Sequence, residues 1–142
     1  MSDERLRLSP NSTLEIKSSG DDVLEVEATY DAGGSPPPNH LHPAQDEHFE
    51  ILEGSMRVIS DGEERTLEVG EEIDIPRETA HQMWNPGAVP ARVRWETRPR
   101  GRTEDFFRAV AEVMPDDGGM PDLARMLEIV QDFDDTFRLV TD

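Results

Sequence analysis

The 142-residue chain contains no cysteine. That excludes a disulfide scaffold, a thiolate zinc site, an iron–sulfur cluster and a thiol nucleophile. Lysine is almost missing as well: of 14 basic residues only Lys17 is lysine, and they face 32 acidic residues, for a net charge of −18. Nucleic acid and anionic membrane surfaces call for a basic footprint, so neither is expected as a partner. Uninterrupted apolar runs are short, as at Ala109-Val110-Ala111, far below a membrane span. The opening stretch Met1–Pro10 has no apolar core of a signal peptide, which makes the cytoplasm the expected compartment. Acidity with almost no lysine suits a protein working in concentrated salt, where repulsion is screened. A genome biased toward arginine codons accounts for it equally well.

What is present divides in two. Residues 1–100 read as a strand-rich domain and residues 101–142 as a helical extension. In the first part apolar and polar residues alternate: Leu14/Ile16, Leu24/Val26/Ala28, Leu67/Val69 and Val93/Trp95/Thr97. Asp61-Gly62 is a hairpin signal, because both positions tolerate positive φ. Short, evenly spaced strands with one apolar face predict an all-β sandwich or barrel. After Gly101, Thr103 is the expected helix cap, and Phe106, Val110 and Val113 recur at helical spacing. Pro115–Pro121 breaks that helix. Leu123, Met126, Leu127, Val130, Phe133, Phe137 and Val140 predict a second helix of about four to five turns. Both helices are too apolar to stand in water, so packing on the barrel or on a second subunit is expected, with a homodimer as the assembly.

The chemistry rests on the histidines. His40 and His42 are two apart, so on an extended strand they face one side with Cβ atoms about 6–7 Å apart. Glu47 is expected to open the next strand, antiparallel and beside the first. His81 follows much later, on Ala80–Trp84. Three imidazoles and a carboxylate suit one divalent transition metal (Fe, Mn, Ni, Zn or Cu) and are too nitrogen-rich for Mg or Ca. His48, next to Glu47, should point the other way. Phe49, Ile51, Met83, Asn85 and Trp95 are in phase with the ligands or share the interior, and are the expected substrate-binding wall.

The glycines and proline around these residues carry a family resemblance. Gly34-x5-His40-x-His42-x4-Glu47-x6-Gly54 resembles the first motif of the cupin superfamily. Gly70-x5-Pro76 with His81-x3-Asn85 resembles the second. Nine of ten fixed positions match, and residues 55–69 separate the motifs. The resemblance implies a double-stranded β-helix, a jelly-roll-like barrel, with His40, His42, Glu47 and His81 as metal ligands in its mouth. The departure is Glu78, where the motif has glycine; a rearranged turn is expected there. Two function classes follow. One is a metal-dependent enzyme on a small molecule, of dioxygenase or of isomerase/epimerase type. The other is a non-catalytic module that binds or senses a small-molecule ligand. A storage-like or structural cupin is a third, weaker reading.

Overall fold

Alternating side chains from Arg5 onward build two antiparallel sheets. The computed structural model describes residues 5–117 and 119–140. Residues 1–4 of the N-terminal stretch, Gly118 in the expected breaker, and Thr141 and Asp142 of the tail lie outside the described residues. One sheet has the order β1-β2-β3-β10-β5-β8. Its strands are β1 (Arg5–Ser9), β2 (Ser12–Ser19), β3 (Leu24–Tyr30), β5 (Asp46–Glu53), β8 (Glu72–Ile75) and β10 (Ala91–Arg98). The other has the order β11-β4-β9-β6-β7, from β4 (His40–Leu41), β6 (Met56–Ser60), β7 (Glu63–Leu67), β9 (His81–Trp84) and β11 (Arg138–Leu139). Neighbours such as β3 with β10 and β4 with β9 are distant in sequence, the pattern of a sheet rolled into a double-stranded β-helix.

The alternation sends Phe49, Ile51, Met56, Val58, Leu67, Ile75 and Val93 into the barrel interior. Each such side chain contributes about 1.5–3 kcal/mol by leaving water. The same sheet face continues across β3, where Val93 opposes Ala28 and Trp95 opposes Val26. There the cover is a helix, α1 (Thr103–Val113), whose Phe106, Phe107 and Val110 pack with Leu14, Leu24 and Val26. Tyr30 and Trp95 touch both clusters and join barrel to helix.

Turns follow the local chemistry. Asp61 and Gly62 both take positive φ, 52° and 82°, and close the β6–β7 hairpin with the twist its strands need. Gly54 has φ 74°, and a Cβ there would meet Pro90 O at 2.5 Å, so only glycine fits between β5 and β10.

Several expectations are corrected. Thr103 does not cap α1; Arg102 occupies the cap position, and the buried Thr103 hydroxyl has no hydrogen-bond partner. Asp122 is a true cap, accepting from the Ala124 N–H at 2.9 Å at the start of α2 (Leu123–Asp132). The second helix stops at Asp132 instead of reaching Val140, and residues 133–137 turn into β11. The apolar spacing persists there because Phe133 and Phe137 pack inward from a turn. Val69 is 61% exposed, since β7 ends at Leu67. The strand opened by Glu47 does not lie beside β4: β5 joins the opposite sheet.

Nor does the turn at Glu78 rearrange. Glu78 takes φ 65°, the left-handed conformation a glycine would adopt there. Its N–H donates to His42 O at 2.9 Å, which fixes the backbone beside a histidine. Left-handed backbone costs a side-chain-bearing residue about 1–2 kcal/mol, against about 0.5–1 kcal/mol of extra chain entropy for glycine. Glu78→Gly is therefore expected to stabilise the fold by about 0.5–1 kcal/mol in urea unfolding. Destabilisation would show that the Glu78 side chain contributes a contact outweighing the strain.

Candidate metal centre and its cavity

The site is made by pairing β4 with β9, which sets His40 directly opposite His81. Pro37 and Pro38 stiffen the approach to β4, and each lends a carbonyl: Pro37 O accepts from Gln82 Nε2 at 2.7 Å, and Pro38 O from His40 Nδ1 at 3.0 Å. His42 folds back to the same place. The ring centroids of His40, His42 and His81 lie 5.1, 4.4 and 5.2 Å apart. One nitrogen from each ring falls within 4.8 Å of the others, so the three could hold a metal ion.

Glu47 approaches from the opposite sheet. Its Oε1 stands 3.1 Å from His42 Nε2 and 3.1 Å from His81 Nε2. Its Oε2 accepts from Trp95 Nε1 at 2.8 Å. Every imidazole is held by its other nitrogen: His40 Nδ1 on Pro38 O, His42 Nδ1 on Thr136 O at 2.8 Å, His81 Nδ1 on Thr79 O at 2.9 Å. A carbonyl can only accept, so each Nδ1 carries a hydrogen, and in the neutral ring each Nε2 keeps its lone pair. His42 Nε2 and Glu47 Oε1 are buried, and neither has a hydrogen-bond partner. Orphaned buried acceptors facing one point are what a cation would satisfy, and this donor set fits a borderline divalent metal.

The electrostatics agree. Burial would raise Glu47, but His42 and His81 outweigh it and hold the carboxyl below its usual range. Burial, then the neighbouring His81 and His42, push His40 down to about 3. Burial pulls His42 down too, but the charge of Glu47 wins and leaves it raised.

A cavity of about 260 Å³ opens over these side chains. Phe49, Met83 and Trp95 line it. Ile51 does not; it lies in the closed core. Asn85 reaches the lining, but its amide is committed to the backbone. Nδ2 donates to Tyr30 O, Asp31 O and Val89 O, and Oδ1 accepts from Gly87 N–H. It pins a loop rather than presenting a free polar group. His48 lies outside, on Asp74 and Glu72 at 2.6 and 2.7 Å.

Sequence reasoning missed Tyr30, Phe106, Phe107 and Phe137, all lining residues. Burial, then the charge of Glu47, push the Tyr30 phenol above its usual range, so it stays protonated. Thr136 and Phe137 were missed because they lie some ninety residues from His42, with no local signal. Among the described residues no Lys or Arg lines the cavity.

Comparison with known proteins agrees with this architecture. The family model described as "Cupin domain" matches residues 26–95. The tetracenomycin polyketide synthase protein TcmJ of Streptomyces glaucescens is 32% identical over 90 residues, 63% of this chain and 60% of that protein. The chain thus spans about 60% of that relative's length. An RmlC-like cupin from Shewanella frigidimarina superposes with a TM-score of 0.65 at 16% identity, covering 72% of this chain and 89% of the other. A sugar phosphate isomerase of the cupin superfamily from Silicibacter pomeroyi gives 0.62 at 18% identity, covering 68% and 71%. At such identities the two structures speak for the fold alone. The motif residues, the rolled pair of sheets and these matches together place the chain in the cupin superfamily.

Proposed function

We propose that the protein is a metal-dependent enzyme acting on a small, largely apolar molecule. The carrying observation is the arrangement of His40, His42, His81 and Glu47. Each side chain is anchored through one polar atom, and the other is turned toward a shared point. Such anchoring fixes tautomer and orientation before an ion arrives. One divalent transition metal held there supplies Lewis-acid chemistry or, as iron, oxidative chemistry.

The remaining work falls to the chain. Phe49, Trp95, Phe106, Phe107 and Phe137 offer flat apolar walls that hold a substrate and exclude water. Among the described lining residues no Lys or Arg is present to pair with an anionic group, so a charged group of a substrate would find its partner only at the metal. Tyr30, kept protonated, suits a hydrogen-bond donor to a substrate oxygen. TcmJ, to which the chain is similar, is by its name a polyketide synthase protein, which supports a small organic molecule as substrate.

Elemental analysis of protein purified without chelators tests the reading, with about one equivalent of transition metal expected. No metal, and no uptake of Fe(II), Mn(II) or Zn(II), would remove it. Affinity should also follow pH in a set direction. His40 and Glu47 are held in their unprotonated forms, whereas Glu47 favours the protonated form of His42, so protons compete with a metal there. Zn(II) affinity is expected to fall as the pH is lowered, because protons compete with the ion for the imidazole nitrogens. A competition titration between pH 5 and 8 checks this; a flat profile contradicts it.

A further inference from the structure

The segment after α2 does more than cover the cavity. Thr136 is 1% exposed, and its carbonyl accepts the His42 Nδ1 hydrogen at 2.8 Å. Phe137 stacks on His40 at 4.6 Å and on Phe106 at 5.0 Å, with interplanar angles of 21° for both. β11 then adds to the sheet edge at β4, with Leu139 opposite His40, and Val140 N–H donates to Asn39 O at 2.9 Å. Arg102 clamps the other end through Asp132 O at 3.0 Å and Asp135 Oδ1 at 2.9 Å. The barrel itself therefore orients His81, through Thr79. The tail orients His42 and covers the ring of His40. The family match ends at residue 95, well before this segment.

We infer that residues 133–140 are a strap that completes the metal site, with Thr136 and Phe137 as positioning residues, so that strap docking and metal occupancy are energetically coupled. This rests on the metal reading above. An undocked strap frees His42 to rotate or change tautomer, removing an outer-shell hydrogen bond of the kind that supports metal affinity by about 10–100-fold. Coupling is reciprocal, so a bound ion must hold the strap down by the same factor. Because Phe137 and Phe106 also form the cavity wall, the same motion opens the binding space.

Co(II) titration of the full chain, of Phe137→Ala and of Phe137→Tyr tests this, with hydrogen exchange at the Val140 amide followed with and without Zn(II). Phe137→Ala is expected to weaken Co(II) binding about 10–100-fold and to alter the cobalt ligand-field spectrum. Phe137→Tyr, which keeps the stacked ring, should restore both. Zn(II) should slow exchange at Val140 in the unmodified protein, a measurement that stands even if the alanine variant folds poorly. Unchanged cobalt affinity and spectrum in Phe137→Ala, or Val140 exchange indifferent to bound Zn(II), would overturn the strap while leaving the metal site. A full chain that takes up neither ion overturns both.

Discussion

His42→Ala is expected to abolish stoichiometric metal uptake while the barrel stays folded. His42 stands at the join of three supports: Glu47 at 3.1 Å, Thr136 O at 2.8 Å, and its own carbonyl held by the Glu78 N–H. Losing an outer-shell partner costs about 10–100-fold in metal affinity, and losing a donor should cost more. The fold should survive because Glu47 keeps its anchor: Trp95 Nε1 still donates to Oε2 at 2.8 Å. The barrel core is elsewhere, in Phe49, Met56, Val58 and Val93. Circular dichroism and metal analysis on the same preparation check the two halves. Wild-type metal content in the variant would remove His42 from the ligand set. His48→Ala is the matched control, since His48 bonds Glu72 and Asp74 on the outer face.

The largest effect on stability is expected from Phe106→Ala. Phe106 ties the helical extension to the barrel sheet within one cluster. It packs on Leu14, Leu24 and Val26 of the barrel sheet, meets Phe133 at 5.5 Å and stacks on Phe137. Truncating a buried Phe to Ala costs about 3–5 kcal/mol through lost transfer energy and the cavity left behind. For a chain of this size that shift lowers Tm on the order of 10 °C. Single-transition unfolding, followed by both tryptophan fluorescence and far-ultraviolet dichroism, would show residues 101–140 folding with the barrel as one unit. Two separate transitions, or a loss under about 1 kcal/mol, would mean the helix is only laid against the sheet.

How much could be read beforehand differs by element. The hairpin at Asp61-Gly62 was legible because positive φ is a property of those residues, whatever surrounds them. The β strands from Leu14 to Thr97 were legible because one-sided burial imposes a period of two. Glu78 was misread for an instructive reason. A non-glycine at a left-handed position looks like a changed turn, yet the hydrogen bond to His42 O outlasts the substitution at a tolerable cost. The second helix was overextended because apolar spacing reports burial, not hydrogen bonding. Phe133 and Phe137 are inward-facing on a turn as they would be on a helix. Asn85 was counted with the substrate wall because its phase is right; its three backbone acceptors appear only when Tyr30, Asp31 and Val89 are brought around it.

By itself, then, the amino-acid sequence determined the barrel, its turns and the set of side chains at its mouth. These depend on local periodicity and on residue types at short, fixed spacings. Tertiary structure alone decided that β5 crosses to the sheet opposite β4, so that Glu47 meets the histidines across the barrel rather than along a strand. It also decided that the tail returns to grip His42 and His40 through Thr136 and Phe137. A hydrogen bond to a backbone carbonyl 94 residues away leaves no mark on composition or periodicity, because any residue offers that carbonyl and only the fold brings it near.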